Sequence, residues 1–279
     1  MAVASLAAPG GAAHSQDQSV PSASRHRTIV SLLARSGEMS VEALADHLDV
    51  SRETVRRDLA RLEAEGRLRR FHGGARALGA AAPLPETEGP FAQRMTQNAG
   101  AKQAIARAAA ALFEPDSSLF IDTGSTTIAF AEALALRPPL VAITNAPRIA
   151  ATLAQHHGHK VFLIGGAYGA DAGESLGPLA LEQIGKFRAD YAVLTIGGLD
   201  SGCVMDFDLQ EAEVAKAMIE RADRLVVLAD HSKFDRRAVF EVAPLAQVDV
   251  IVTDLPPPGP LARAIADADV RLVVAGGGA

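Results

Sequence analysis

The stretch VSRETVRRDLARLEAEGRLRRFHGGA, residues 50–75, decides how the first part of the chain folds. Ser51 stands where a hydroxyl can cap free helix N–H groups, and Val55, Leu59 and Leu62 then recur at helical spacing until Gly66 closes the run. With those three residues turned inward, the opposite face carries Glu53 and Arg57, flanked by Thr54, Arg56, Ala60 and Arg61. Upstream, VEALADHLDV after Ser40 reads as a shorter capped helix with a Val41, Leu44, Ala45, Leu48 stripe, and Ile29, Leu32 and Leu33 mark a helix before it that stops at Gly37. Two short capped helices joined by a tight turn predict a helix-turn-helix whose second member is the recognition helix. RLRRFHGGARAL then reads as strand, glycine turn and returning strand, a wing that carries Arg69, Arg70, His72 and Arg76.

Charge agrees with this reading once it is resolved along the chain. The 279 residues carry a formal charge of -6, yet residues 25–76 sum to +3 and the remainder to -9. A small basic module on an acidic body meets nucleic acid through its local charge. Ser51, Arg52, Glu53, Thr54 and Arg56 occupy the end of the recognition helix that meets base edges in such motifs. Arginine's fork suits guanine edges and phosphates alike. The plainer alternative is a solvated basic face; the agreement of caps, turn, apolar register and wing favours DNA.

Beyond an Ala-, Pro- and Gly-rich stretch, taken as a linker over 77–95, strand-like and helical segments alternate through 96–279. Aliphatic composition with no Trp suits helices packed on a mainly parallel sheet, so the second part is expected to be a doubly wound α/β domain with ligand residues at the carboxyl ends of its strands. FIDTGSTT puts Asp122, Gly124, Ser125, Thr126 and Thr127 where a strand hands over to a helix, either a phosphate cradle or a plain helix cap. Asn145, Gly166 and Lys233 end other strands, and Asp206, Asp208 and Glu211 stand at an acidic helix entry able to bond polyol hydroxyls. The first 24 residues lack the basic and apolar regions of a signal peptide and are expected to form a disordered tail. The single cysteine, Cys203, and the lack of a long apolar run point to a reducing, cytoplasmic setting without a membrane span.

Residues 51–75 resemble the helix-turn-helix of the DeoR family of bacterial transcriptional repressors, through S-x-x-T-V-R-R-D-L-x-x-L-E-x-x-G-x-L-x-R-x-H-G-G-A. Residues 96–276 resemble that family's sensor domain in NAGAKQAIARAAA, FIDTGSTTIAFAEAL and EAEVAKAMIERADRLVVLADHSKFDRRA. The family in turn resembles ribose-5-phosphate isomerase in its GTGST phosphate loop and AD-x-SK segment. The resemblance implies an operator duplex held through Ser51, Arg52, Thr54, Arg56 and Arg57. It also implies a phosphorylated sugar or polyol as inducer, contacting Asp122, Gly124, Ser125, Thr126, Thr127 and Lys233, with Lys102 nearby. DSGCVMDFDLQEAEV and ADHSKF are most similar to the glycerol-3-phosphate regulon repressor branch, which makes glycerol 3-phosphate the first candidate effector. A homodimer or homotetramer is expected, with dimer half-sites about 34 Å apart. No cofactor, metal or catalytic residue is called for. The competing reading, a sugar-phosphate isomerase, meets IGGLDSG, which keeps only Asp200 where the isomerases carry a D-G-A-D-E run.

Overall fold

In the computed structural model, which describes residues 22–71, 73–77, 88–156 and 158–276, the chain divides into two compact units, Met1–Ala82 and Pro83–Ala279. The expected tail therefore lies outside the described residues except at its end, where α1 (Ser22–Ser36) begins three residues inside it. Ser22 and Ser24 extend that helix because Arg25 and His26 are anchored in its first turns, as described below.

The first unit continues with β1 (Glu38–Ser40), α2 (Val41–Leu48), α3 (Arg52–Ala64), β2 (Leu68–Phe71) and β3 (Gly74–Ala77). Both predicted caps form: Ser40 Oγ accepts from Ala43 N–H at 3.0 Å and Ser51 Oγ from Thr54 N–H at 3.1 Å. Each such cap is worth about 1 kcal/mol. Between them Asp49 adopts φ 51, the left-handed corner that turns α2 into α3. Ile29, Leu33, Leu44, Val55, Leu59 and Leu62 are buried together as the core. β1 was not legible beforehand; it pairs with β3, which also pairs with β2, so the wing is a three-stranded antiparallel ribbon. Gly73, at φ +90, makes the turn of the wing hairpin.

A buried ion cluster ties α1 to α3. Asp58, on the inner side of α3, accepts from Arg25 Nε at 2.5 Å and Nη2 at 3.1 Å, and its Oδ1 lies 2.8 Å from His26 Nε2. Burial pushes the Asp58 carboxyl up, but the hydrogen bonds and charges of Arg25 and His26 outweigh it and hold the group below its usual range.

The second unit is built on a seven-stranded, wholly parallel sheet. It opens with α4 (Phe91–Thr96) and α5 (Ala99–Ala110), followed by β4 (Ser118–Ile121), α6 (Ser125–Leu134), β5 (Val141–Thr144), α7 (Pro147–Ala154) and β6 (Lys160–Leu163). A small hairpin, β7 (Ala167–Gly169) and β8 (Glu174–Leu176), leads through α8 (Pro178–Ile184) to β9 (Ala189–Thr195). Next come β10 (Gly198–Leu199), β11 (Cys203–Asp206), α9 (Leu209–Glu220), β12 (Ala222–Leu228) and β13 (Phe240–Pro244). The unit ends with β14 (Val250–Thr253), α10 (Gly259–Asp267) and β15 (Arg271–Val274). The main sheet runs β15-β14-β12-β9-β4-β5-β6, and β10, β11 and β13 form a separate antiparallel ribbon.

Neighbouring strand residues face opposite cores. Phe120, Ala192, Leu194 and Val227 meet α8, α9 and α10, while Leu119, Ile121, Val193 and Val226 meet α5, α6 and α7. Burial on both faces is why the strands read as continuous aliphatic runs. The expected doubly wound α/β architecture is present. The linker is shorter than the 77–95 expected, since Ala77 belongs to β3, and Glu88 onward folds with the second unit. Ala and Pro content hid this: α4 is only six residues long, and its start is fixed by Phe91 N–H donating to the Asp171 carboxylate, a contact eighty residues away in sequence.

Candidate functional site

The order of the sheet reverses between β4 and β9, and a topological switch of this kind opens a crevice at the carboxyl ends of the strands. A small cleft, a cavity of about 20 Å³, lies there, lined by Ser125 and Thr126 from the start of α6, Thr195 and Ile196 from the end of β9, Leu228, Asp206, Glu211, Glu88, Arg94 and Lys233. Gly124 lets the β4–α6 turn lie against β9, because a Cβ there would stand 2.2 Å from Thr195 Oγ1. Any side chain at 124 therefore forces the turn away from Thr195 and splays the crevice.

The charge in the cleft is divided. On one side, Glu88 bonds both Arg94 and Lys233, and Arg236 Nη1 lies 3.7 Å from it. Arg236 also stacks over Phe207, 4.5 Å from the ring centroid. On the other side gather Asp206, Glu211 and Glu174. Burial, then Glu88's charge, pushes Asp206 up to about 6. Burial and mutual repulsion raise Glu174 and Glu211 as a hydrogen-bonded pair, which therefore keeps a proton at neutral pH. One side offers cations and helix N–H groups to an anion, and the other offers protonated and ionised carboxyls to hydroxyls.

Of the residues singled out in the sequence, Ser125, Thr126, Asp206, Glu211 and Lys233 line this cleft. The others stand behind or beside it. Asp122 is buried, with its carboxylate accepting the Thr195 N–H at 3.0 and 3.1 Å, and burial raises it well above the ordinary carboxylate range. Its role is to tie β4 to β9. Thr127 is fully buried and donates to the Gly124 carbonyl at 3.1 Å. Lys102 is buried too, and its Nζ donates to the Arg94 carbonyl at 2.5 Å, so it supports a cleft residue instead of facing the cleft. Asn145 Nδ2 donates to Glu174 at 3.2 Å and to the Ser175 carbonyl at 3.1 Å. Gly166 makes room for Leu176, whose carbonyl a Cβ would meet at 2.6 Å. Asp208 caps α9, accepting from Gln210 and Glu211 N–H. Asp200 accepts from Gly202 and Cys203 N–H and closes the β10–β11 turn.

Glu88, Arg94, Glu174 and Arg236 escaped the sequence reading. The first two fell within the supposed linker, and the only signal for them was charge beside Pro90 and Phe91. Glu174 sits on a three-residue strand that carries no periodicity.

In the first unit the exposed face of α3 presents Arg52, Glu53, Arg56 and Arg57. Arg52 pairs with Glu42 at 2.9 Å, while Arg56 and Arg57 lie 3.8 and 3.5 Å from Glu53. Exposed pairs of this kind are worth under about 1 kcal/mol, so they yield readily to phosphate. Thr54 and Ser51 hydroxyls lie 2.9 Å apart at the helix start. In the wing, Arg70 is drawn back toward Glu63 at 3.7 Å, Arg69 is half-buried, and His72 lies outside the described residues.

A winged helix-turn-helix followed by a parallel α/β domain with a charged crevice defines a DNA-binding transcriptional regulator with a sensor domain. The model of the DeoR C terminal sensor domain matches residues 97–255, and that of the DeoR-like helix-turn-helix domain matches residues 25–80. The chain belongs to the DeoR family. It is 36% identical to the HTH-type transcriptional repressor CsqR of Escherichia coli K12, over 90% of this chain and 94% of that one. It is 34% identical to the glycerol-3-phosphate regulon repressor of the same strain, over 89% and 97%. Ribose 5-phosphate isomerase A from Methanocaldococcus jannaschii superposes with a TM-score of 0.37 at 16% identity, over 50% of this chain and 55% of that one, too low a score to compare sites. Among the described residues no helix is long and apolar enough to cross a membrane.

Proposed function

We propose that the chain represses a carbohydrate or polyol catabolic operon and leaves its operator when a phosphorylated sugar or polyol, with glycerol 3-phosphate the first candidate, occupies the cleft at the β4–β9 switch. The observation that carries this reading is the convergence of Arg94, Lys233 and Arg236 beside Ser125 and Thr126 at the start of α6, facing carboxyls suited to hydroxyls. A phosphoryl group brings three acceptor oxygens and close to two negative charges to such a place. The likeness to glycerol-3-phosphate regulon repressors supports the choice of ester.

On the DNA side, Arg52, Arg56 and Arg57 with Ser51, Thr54, Arg69 and Arg70 form the operator surface in this reading, two copies of α3 serving the half-sites of a dimer. The effector acts by favouring a form that grips DNA poorly. We assign the chain no catalytic step, and turnover of ribose 5-phosphate by the purified protein contradicts that assignment.

The DNA half is tested by salt-dependent binding to a fluorescent fragment of the upstream DNA of its own gene. Arg56→Ala and Arg57→Ala are each expected to weaken binding by about 1–3 kcal/mol. A residue on phosphate lowers the salt slope by about one, whereas one on a base edge relaxes sequence preference. Variants that bind as the parent does under all salts remove α3 from the interface.

A further inference from the structure

Glu88 stands out because of where its carboxylate lies. Every ion pair it makes among the described residues goes to three cations, Arg94 and Lys233, which line the cleft, and Arg236. Its side chain is 11% exposed, with Arg94 and Lys233 each at 15%, so the group is enclosed by the cleft and does not lie across its mouth. Ser125 and Thr126, from the start of α6, line the same space. One carboxylate thus takes the position among cations and helix start that suits a bound anion.

The backbone around it is built for that placement. Gly89 adopts φ +84 and Pro90 follows, a corner that only glycine enters without strain and that sends Glu88 back toward the cleft. Immediately beyond, Phe91 is anchored by Asp171 and Lys102 holds the Arg94 carbonyl. The chain is therefore fastened from Phe91 onward, while Glu88, ahead of that anchor, is held through its carboxylate by Arg94 and Lys233. It stands eleven residues after Ala77, the last residue of β3, and belongs to the second unit.

We propose that Glu88 is an internal occupant of the phosphate seat: its carboxylate holds Arg94, Lys233 and Arg236 until a phosphorylated effector displaces it. This rests on the reading of the cleft as a phosphate site. A phosphoryl group outcompetes Glu88 because it carries nearly twice the charge and has oxygens for all three cations. The internal occupant lowers the apparent affinity by the fraction of molecules in which the seat is free.

The test is calorimetric titration of the full chain and of Glu88→Gln with inorganic phosphate and with glycerol 3-phosphate, alongside operator release followed by anisotropy. Glu88→Gln is expected to bind inorganic phosphate about tenfold more tightly than the parent and to respond to less ester. Equal or weaker phosphate binding by the variant, with the parent binding normally, overturns the proposal and leaves the phosphate site standing. No phosphate or ester binding by either protein overturns both. Amide exchange of the unmodified chain gives a second readout that needs no variant. Saturating glycerol 3-phosphate should speed exchange at Glu88 and Gly89 and slow it at the start of α6. Unchanged exchange at Glu88 and Gly89 in a protein that binds the ester contradicts displacement.

Discussion

Asp58→Ala is expected to lose about 3–5 kcal/mol of stability in the first unit, because it removes the buried carboxylate that Arg25 and His26 share beneath α3. A unit of this size has little margin, so a loss of that order leaves much of it unfolded at ordinary temperature. Urea unfolding followed by circular dichroism should show an early transition in the variant, and specific DNA binding should fall with it although Asp58 is buried on the inner side of α3. The same cluster sets the acid limit. Asp58 is held below its unfolded value, so its contribution is complete above about pH 4 and disappears as pH falls through the lower folded value. A loss under about 1 kcal/mol means that Arg25 and His26 find water and the cluster is not a staple.

Lys233→Ala and Arg94→Ala are expected to weaken effector binding by about 3 kcal/mol each, somewhat more than a hundredfold, since each removes an enclosed charge from the phosphate. Calorimetry with glycerol 3-phosphate checks this directly. Acidity modulates the same binding. Above pH 7 the phosphate is already a dianion, so the remaining titration belongs to the Glu174–Glu211 pair, with Glu211 pushed up to about 9 by burial and by Glu174. As the pair loses its proton the cleft gains negative charge, and ester affinity should decline from pH 7 to 9. In Glu211→Gln that decline should flatten. Full ester affinity in both cation variants removes the phosphate from this side of the cleft.

The sequence makes visible what repeats locally and hides what topology assembles. Ser40 and Ser51 were readable as caps because a cap acts within one turn, and Val55, Leu59 and Leu62 because a buried face repeats every turn. The alternation of β4, α6, β5 and α7 was readable for the same reason. Asp58 looked like one more charge on a charged helix, since its partners lie 32 and 33 residues away. The DTGSTT motif stands at the turn from β4 to α6, and which of its groups face the cleft depends on β9. Thr195 draws Asp122 inward and leaves Ser125 and Thr126 at the opening. Arg94 and Glu88 were missed because the composition around them belongs to linkers, whereas their positions are fixed by Lys102 in the next helix and by Asp171 and Lys233 from two distant segments.

The most direct measurement is the anisotropy of a fluorescent operator fragment bound by the unmodified protein, titrated with glycerol 3-phosphate and, in parallel, with glycerol. Release by the ester and none by glycerol is the predicted result, because the cleft's cations act on the phosphoryl group. DNA binding unmoved by glycerol 3-phosphate and by a panel of other sugar phosphates would contradict the account at its centre.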